Sequence, residues 1–557
     1  MKIALVQSEE ETKFIKRKLS GEIKFVPFNL ESQTYLILNG LSFINPKEFI
    51  PPDFQQKAIA YVDNELKKLP DQNFDYHGMN IEYKGHIRFV LNYTIFIIDF
   101  LETILKKNNI DEIIVSGWDS VNFSKYKSNN VFVISRVIKS LNLKKNVTIL
   151  EKNFDNKKNN LYEYKLEKFN INSNKKKLLV NSVYYNFFRI ILQCRVLGIK
   201  TFTVEYQRFE LNFIKRLIYK ILGLKIIKVS KIKSELKKVN ITKKSINYKF
   251  YDITEIVNFR ISELEYELTD ILNKSNAFKK FLEENNFNYY FTNVVRGFDG
   301  AVTEILNSTG TKTVCISHGT IAESFDKFDS IYKKTISEAV FSGPSNYFAI
   351  QSNICKNSLK NTNQEIKKNS LETGNLIFSN AKGRLNNSIL FATTLKPLHG
   401  TQLLGVEMYY EFLENLKDLH KLAINKNVKV VTNIHGSHKD CIYNLKKMFP
   451  KITFECKKID KILNNSMITI SHSSSVIEDS INSKVPVILL DKWKRYKHCE
   501  VNSGENFFPI FYVNDLTNLS NKIDFIRSNY SKLDFEKLLN GNNISFNIKN
   551  LFKKLEA

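Results

Sequence analysis

Residues 467–490 read MITISHSSSVIEDSINSKVPVILL, and their pattern indicates the class of fold. Two short apolar runs, MITI (467–470) and VPVILL (485–490), are typical of buried strands, and the segment between them predicts a helix. Parallel strands need a crossover connection, which is usually helical. The stretch therefore predicts a strand, helix and strand unit of a parallel α/β sheet.

The same alternation extends from this unit toward the N-terminus. The apolar runs that predict further strands are KIALV (2–6), EIIVSGWD (112–119), NVTIL (146–150), KLLV (177–180), KTFTV (200–204), NYYFT (288–292), TKTVCI (311–316), YFAI (347–350), ILFATT (389–394), VKVVTNI (428–434) and KITFEC (451–456). Helical segments separate them. We therefore predict doubly wound α/β domains that leave a cleft, with ligands at the carboxyl ends of the strands.

Two connecting segments suggest where the domains meet. Residues 153–177 are rich in Asn and Lys, which is typical of a solvated loop, and LETGNLIF (371–378) contains a Gly-Asn turn. We predict an N-terminal α/β region (1–165), an acceptor-side Rossmann-like domain (166–380) and a nucleotide-donor-binding Rossmann-like domain (381–557).

Composition excludes several classes of protein. The 557 residues are 43% hydrophobic, so the chain is neither a disordered tail nor a disulfide-stapled miniprotein. Its six cysteines form no CxxC pair, which argues against a structural zinc site and for a reducing cytoplasm. No apolar stretch approaches the length of a membrane-spanning helix, and the N-terminal apolar run is too short for a secretory signal.

The charge balance indicates an affinity for anions. The chain has 83 Lys and Arg against 57 Asp and Glu, a formal net charge of +26. An AT-rich coding bias toward Lys and Asn explains the same excess without a partner. Residues 209–222 predict a basic amphipathic helix. It either lies on an anionic membrane or packs on its own sheet.

The first polar segment after a predicted strand is Ser317-His318-Gly319-Thr320. The glycine lets a ligand approach the backbone, and His318 is suited to proton exchange with a reacting group. A purely structural histidine is the alternative.

A second polar segment contains His435, Ser437 and Lys439, whose imidazole, hydroxyl and ammonium groups could hold a phosphate. His435 and His438 also suggest a metal, but no third ligand stands at a suitable spacing. We therefore predict no metal here.

The third segment, Ser471 to Glu478, joins the strand MITI to a helix. Hydroxyl groups and free backbone amides at a helix start favour anions. Ser475 and Glu478 also fit a capping box, which would satisfy the same amides internally.

Several common signatures are absent from the sequence. It contains no GxxxxGK[ST] loop, no GxGxxG after a strand and no GxSxG elbow. It also contains no DxD pair, so a sugar transfer that depends on a DxD-bound metal is disfavoured.

Taken in order, these segments resemble the two-domain GT-B glycosyltransferases of bacterial surface polysaccharide (capsule or lipopolysaccharide) synthesis and the related CDP-glycerol glycerophosphotransferases. The resemblance covers roughly residues 285–500. The matching elements are the His-Gly-Thr (Ser317 to Thr320), the TGN turn (Thr373 to Asn375), His435, and the Ser-Ser-Val helix start (Ser474 to Val476) with Glu478 and Pro486. Gly436 departs from the family, where proline commonly follows the histidine.

The resemblance implies roles for particular residues. The donor phosphates would be held by His435 and Ser473 to Ser475, and Glu478 would contact the ribose. Ser437 and Lys439, singled out above for their hydroxyl and ammonium groups, join this donor site. His318 would face the reaction centre. We also expect Gly319, Thr320, Asn375 and Thr393 to line the acceptor-side cleft.

Removing the proton of an acceptor hydroxyl requires a base. The candidates are His318 and Asp299, with Asp119 as a third choice. Asp299 also fits an N-cap of the helix that follows it.

We therefore expect a metal-independent glycosyltransferase that needs no cofactor and uses a nucleotide-activated sugar and a glycan or lipid-linked acceptor. We expect it in the cytoplasm, with peripheral contact to the inner face of an anionic membrane. Glycerophosphate transfer from CDP-glycerol is the alternative. A nucleic-acid-binding protein is disfavoured, because lysines are spread along the whole chain and no nucleic-acid-binding module is present.

Overall fold

The structure is a computed structural model, and it describes the chain in segments. The described residues are 1–51, 53–70, 72–117, 134–141, 143, 146–150, 160–167, 174–181, 187–205, 213–234, 236, 238–317, 319, 326–359, 369–392, 407–472, 474–493, 498–499, 507–540 and 543–557.

The described secondary structure alternates between strands and helices. The strands are β1 (Lys2–Val6), β2 (Ile23–Pro27), β3 (Glu112–Ser116), β4 (Asn146–Leu150), β5 (Tyr162–Leu166), β6 (Lys177–Val180), β7 (Lys200–Val204), β8 (Leu224–Ile227), β9 (Val229–Lys233), β10 (Asn247–Tyr248), β11 (Tyr251–Asp252), β12 (Tyr289–Thr292), β13 (Lys312–Cys315), β14 (Tyr347–Ile350), β15 (Ser370–Glu372), β16 (Ser388–Ala392), β17 (Lys429–Asn433), β18 (Ile452–Glu455), β19 (Ile468–Ser471), β20 (Val487–Leu490) and β21 (Ile510–Val513). The α-helices are α1 (Glu9–Lys18), α2 (Leu30–Leu38), α3 (Phe54–Lys68), α4 (His77–Lys107), α5 (Ile134–Ser140), α6 (Phe187–Val196), α7 (Phe213–Ile221), α8 (Thr254–Leu282), α9 (Gly297–Ser308), α10 (Lys327–Glu338), α11 (Asn353–Ser358), α12 (Glu407–Asn425), α13 (Ile442–Met448), α14 (Ile459–Leu463), α15 (Val476–Asn482), α16 (Leu516–Asn529) and α17 (Ile544–Glu556).

The C-terminal sheet has six parallel strands in the order β18-β17-β16-β19-β20-β21. Numbered along the chain, this is the order 3-2-1-4-5-6 of a Rossmann domain. Every residue of β19 and β20 is buried, because helices cover both faces of a parallel sheet. The continuous apolar runs of 467–490 thus form two neighbouring central strands, as predicted.

The middle sheet has seven parallel strands in the order β15-β14-β13-β12-β6-β7-β8. Its order is again that of a Rossmann domain, extended by one strand on one side. Two Rossmann-like domains therefore follow one another along the chain. This confirms the predicted α/β, GT-B-like architecture.

The additional N-terminal region forms a smaller parallel sheet in the order β2-β1-β3-β4. It packs directly on the C-terminal Rossmann-like domain. The Tyr410 hydroxyl of α12 donates to the Pro27 carbonyl at the end of β2 (2.7 Å). Buried residues of both sheets belong to one continuous apolar core.

Local sequence explains where several helices begin. The Ser8 hydroxyl accepts the Glu11 N–H at the start of α1 (3.0 Å), and Asp515 accepts the Asn518 N–H at the start of α16 (2.7 Å). Such side chains satisfy amides that have no partner within the helix. Helix α1 also carries three acidic residues in its first turn and three basic ones in its last, which suits the helix dipole.

Two helices link regions that are distant in the chain. Helix α17 packs against the middle sheet, where the rings of Phe552 and Phe291 stack at 5.4 Å. The sequence analysis had assigned this helix to the C-terminal domain (381–557). Helix α4 meets α9 backbone to backbone, since a Cβ atom on Gly78 would lie 2.7 Å from the Gly300 Cα atom. No helix in the described part of the chain is long and apolar enough to cross a membrane.

Candidate functional site

The C-terminal sheet reverses its winding between β16 and β19. The chain leaves β16 toward one side of the sheet and β19 toward the other, which opens a crevice at the carboxyl ends of these strands. The Ser471 hydroxyl donates to the Ala392 carbonyl across this point (3.0 Å). The serine-rich segment predicted to bind phosphate therefore begins at the topological switch point of its domain.

The start of α15 differs from the predicted capping box. The side chain of Ser475 makes no cap hydrogen bond. Instead, the Val476 N–H donates to the Ser474 hydroxyl (3.3 Å). The capping-box interpretation is wrong, because Glu478 faces the neighbouring domain. The Ser475 hydroxyl, which is half-buried, is not used to cap the helix.

Gly319, which follows β13 of the middle sheet, lies close to this helix start. A Cβ atom placed on Gly319 would lie 3.8 Å from the Cβ atom of Ser475, which is van der Waals contact. The Ser317 hydroxyl donates to the Gly319 carbonyl (2.7 Å), and the Gln351 amide donates to the Ser317 carbonyl (2.7 Å). Two segments that the sequence singled out separately therefore meet between the domains.

Several predicted site residues fall outside the described part of the chain. These are His318, Thr320, Thr393, Ser473 and Asp119, together with the side chain of Ser437. Their roles stay predictions.

The segment after β17 lies at the same edge of the sheet as Ser475. His435 and Lys439 are both exposed there, whereas His438 is buried with its ring edge-on to Tyr409 (5.8 Å). Strand β17 is two places from β19 in the sheet, which separates their ends by about 10 Å. His435 is thus on the crevice side of the domain, at the same sheet edge as Ser475.

The structure places Asp299 inside helix α9 rather than at its cap. The helix begins at Gly297 after the N-cap residue Arg296, so the N-cap interpretation is wrong. Asp299 is half-buried near Cys315, the last residue of β13. Burial of the Cys315 thiol raises its pKa, and the negative charge of the Asp299 carboxylate raises this pKa further. Its role as a catalytic base stays a prediction.

Glu478 is fully buried at the contact between the two Rossmann-like domains. Its carboxylate accepts a hydrogen bond from the Ser352 hydroxyl at the start of α11 (3.2 Å). A side chain without exposed surface cannot touch a ribose in this arrangement of the domains. The structure therefore gives Glu478 an interdomain contact in place of the predicted ribose contact.

The neighbouring Asp479 lies in the same interdomain contact. Its carboxylate accepts the Ser379 N–H (2.7 Å). Burial raises the pKa of Asp479 to about 7, against the lowering effect of the Ser379 N–H. The charges of Asp460 and Glu478 raise this pKa further, and Arg189 lowers it. This carboxyl group therefore changes its protonation near neutral pH.

Asn375 shapes a turn rather than lining the cleft. It is 1% exposed, and its side-chain amide bonds both the N–H (2.8 Å) and the carbonyl (3.2 Å) of Phe378. The predicted cleft contact of Asn375 is therefore corrected to a structural role. Gly374 beside it has a φ of +71°, which favours glycine.

A pair of asparagines at the switch point of the middle sheet was missed by the sequence analysis. Asn181 follows β6 and Asn293 follows β12, and their side-chain amides are hydrogen-bonded (3.1 Å). The signal was present, because each asparagine directly follows a predicted strand. The pairing was not visible, because β6 and β12 are neighbours only in the folded sheet.

The N-terminal sheet holds a further polar cluster at the ends of β1 and β3, which the sequence analysis also missed. Glu11 is buried and accepts hydrogen bonds from the Gln7 N–H (2.6 Å) and the Ser116 hydroxyl. Burial raises the pKa of Glu11 to about 7, although both hydrogen bonds lower it.

Within the described ranges, no group of three or more His, Cys, Asp or Glu side chains is arranged to hold a metal ion.

Comparisons with known proteins identify distant structural similarities. No protein-family model and no curated protein sequence matches the chain. Among solved structures, the UDP-GlcNAc 2-epimerase of Methanocaldococcus jannaschii is 11% identical with a TM-score of 0.42, covering 69% of this chain and 100% of its own. The Neisseria meningitidis UDP-GlcNAc 2-epimerase bound to UDP-GlcNAc is 12% identical with a TM-score of 0.40, covering 69% and 99%.

A wall teichoic acid polymerase, TagF, is also similar. It is 11% identical with a TM-score of 0.36, and the match covers 68% of this chain and 87% of TagF. At TM-scores below 0.5, these similarities assign no activity to the chain.

Proposed function

We propose that the chain is a glycosyltransferase that moves a sugar from a nucleotide-activated donor to a surface glycan or lipid-linked acceptor. The observation that carries the proposal is the close approach of Gly319 to Ser475, at the carboxyl ends of two Rossmann-like sheets, where a Cβ atom placed on Gly319 would lie 3.8 Å from the Ser475 Cβ atom. Ligands of such sheets bind at these ends. A donor on one sheet would thus be presented to an acceptor on the other.

The donor side offers groups suited to phosphates. The Ser475 hydroxyl, the exposed His435 and the exposed Lys439 lie on the crevice edge of the C-terminal sheet. Positive and hydrogen-bond-donating groups stabilise the negative charge that grows on a leaving nucleotide. These residues would perform that task without a metal ion.

The acceptor side would supply the base. Asp299 and His318 are our candidates for removing the acceptor proton. The hydrogen-bonded pair Asn181 and Asn293 would orient acceptor hydroxyls at the switch point of the middle sheet.

Nucleotide binding tests the donor side directly. We expect one of CMP, CDP, UDP or GDP to raise the melting temperature, because a ligand at 100 times its dissociation constant stabilises the folded state by about 2.7 kcal/mol. His435→Ala and Ser475→Ala should each remove the shift. Ser528→Ala, an exposed serine on α16, is the matched control. An undiminished shift in both site variants would refute the donor site.

A donor panel then separates the two chemistries. Incubation with UDP-, GDP- and CMP-activated sugars and with CDP-glycerol should give a glycosylated acceptor, with added chelator causing no loss of rate. Formation of a glycerophosphate product only would replace glycosyl transfer by the CDP-glycerol reaction that the sequence resemblance also implies.

A further inference from the structure

Helices α6 and α7 carry a row of exposed apolar side chains. On α7, Leu217, Ile218 and Ile221 are 49%, 50% and 63% exposed. On α6, Leu192 and Val196 are 47% and 73% exposed and stand four residues apart on one helical face. Clustered apolar exposure of this kind usually marks an interaction site.

The two helices lie side by side at their C-terminal ends. The Arg195 guanidinium of α6 donates to the Ile221 carbonyl of α7 (2.6 Å). Val196 and Ile221 therefore belong to one region, which we call the α6–α7 surface (Leu192, Val196, Leu217, Ile218 and Ile221).

Packing of α7 on its own domain does not account for this row. Tyr219 and Leu222 pack against the core of the middle sheet. They lie on the adjacent face of the helix, so α7 is docked and still presents Leu217, Ile218 and Ile221 outward. Packing of α7 on its own sheet explains the positions of Tyr219 and Leu222 only. It does not explain the exposure of the three apolar side chains on the other face.

The charge around the surface identifies the partner. Residues 187–233 contain eleven Lys and Arg against two Glu. Lys220 on α7 is exposed, and so are the lysines that follow the helix, Lys225, Lys228, Lys231 and Lys233. One of them, Lys228, has an acidic neighbour in Glu167 at 3.8 Å. The partner must therefore be anionic as well as apolar.

Other partners fit this combination less well. A second copy of the chain would bring the same basic side chains to the contact, and like charges repel. Nucleic acid offers phosphates but no hydrocarbon surface for the isoleucines and leucines. An anionic bilayer offers both, because apolar side chains enter the boundary of the acyl chains while lysines meet the headgroups.

We infer that the α6–α7 surface binds peripherally to anionic phospholipid membranes. The inference goes beyond the proposed transferase activity and does not depend on it. It would hold the middle domain against a membrane, where a lipid-linked acceptor would be found.

Vesicle flotation tests the inference with the full chain. The probes are vesicles of phosphatidylcholine alone and of equal parts phosphatidylcholine and phosphatidylglycerol. We expect binding to the second kind only, with Ile218→Ser combined with Ile221→Ser weakening it about tenfold or more. Neutralising Lys220 and Lys225 to Gln should weaken it by about fivefold per charge. Raising the salt concentration should reduce the wild-type binding.

A matched control comes from the β10–β11 hairpin, where Phe250 is 83% exposed. Phe250→Ser should leave binding unchanged. Thermal melting checks that each variant is folded, and if the isoleucine pair does not fold, the lysine pair carries the test. Equal binding to both vesicles, or wild-type binding by the variants, would overturn the inference. So would dimerisation without lipid that the isoleucine pair abolishes.

Discussion

Replacing Asp479 by asparagine should change how stability depends on pH. In the folded chain, burial raises the pKa of Asp479 to about 7 from a value of 3.8. Between these values the folded state holds a proton that the unfolded state releases, so stability falls as pH rises. The stabilisation is complete below pH about 4 and lost above pH about 7. At about 1.4 kcal/mol per pKa unit, the loss amounts to about 4 kcal/mol.

Asparagine keeps the acceptor oxygen for the Ser379 N–H and never ionises. We therefore expect Asp479→Asn to match the wild type near pH 4 and to exceed its stability by up to about 4 kcal/mol at pH 8. Urea unfolding is followed by the fluorescence of Trp493, which follows β20. A Trp118→Phe background removes the chain's other tryptophan.

The matched control is Asp524→Asn, which removes a half-exposed carboxylate of the same domain that pairs with Lys426. Such surface pairs contribute only about 0–1 kcal/mol, so its effect should be small. A difference between Asp479→Asn and the wild type that is the same at pH 4 and pH 8 would refute the reasoning.

Two further predictions concern stability elsewhere in the chain. Burial raises the pKa of Glu11 from 4.5 to about 7, so the free energy of unfolding of the wild type should also fall between these pH values. Glu11→Gln should remove this second fall. Hydrogen exchange of the β1 peptide at pH 5 and pH 8 measures it, and equal protection in variant and wild type at pH 8 would contradict it. Gly374→Ala should destabilise by roughly 3 kcal/mol or more, because φ is +71° and the added Cβ atom would lie 2.0 Å from the Asn540 carbonyl oxygen. Gly310→Ala, with φ +78° and open space around it, should cost only about 1 kcal/mol, and urea unfolding measures both losses. Equal losses would show that crowding by Asn540 has no effect.

Many strands of the three parallel sheets could be predicted because they are short runs rich in apolar and β-branched residues. The runs KIALV, NVTIL, KLLV, KTFTV and YFAI match β1, β4, β6, β7 and β14 residue for residue. Strands with mixed patterns, such as β5 and β9, were missed. They form an antiparallel pair from segments that lie far apart in the sequence, so their stability comes from each other rather than from local pattern.

The candidate site was predicted in its parts but not in its contacts. Ser475 and Gly319 were both singled out, since polar residues after buried strands mark a sheet edge. Their contact depends on how two domains approach. Glu478 shows the opposite case, because the motif suggested a ligand contact while the packing of Ser352 against it buried the carboxylate.

The alternation of strands and helices, the parallel sheets and the positions of the polar strand ends could all be read from the sequence, because they follow from the local spacing of apolar residues. Three features appear only in the folded chain: Gly319 approaches Ser475, Asp479 and Glu478 are buried, and the N-terminal region packs on the C-terminal Rossmann-like domain. These features depend on contacts between residues far apart in the chain. The local sequence around a side chain does not specify which distant residues will pack on it and exclude water from it.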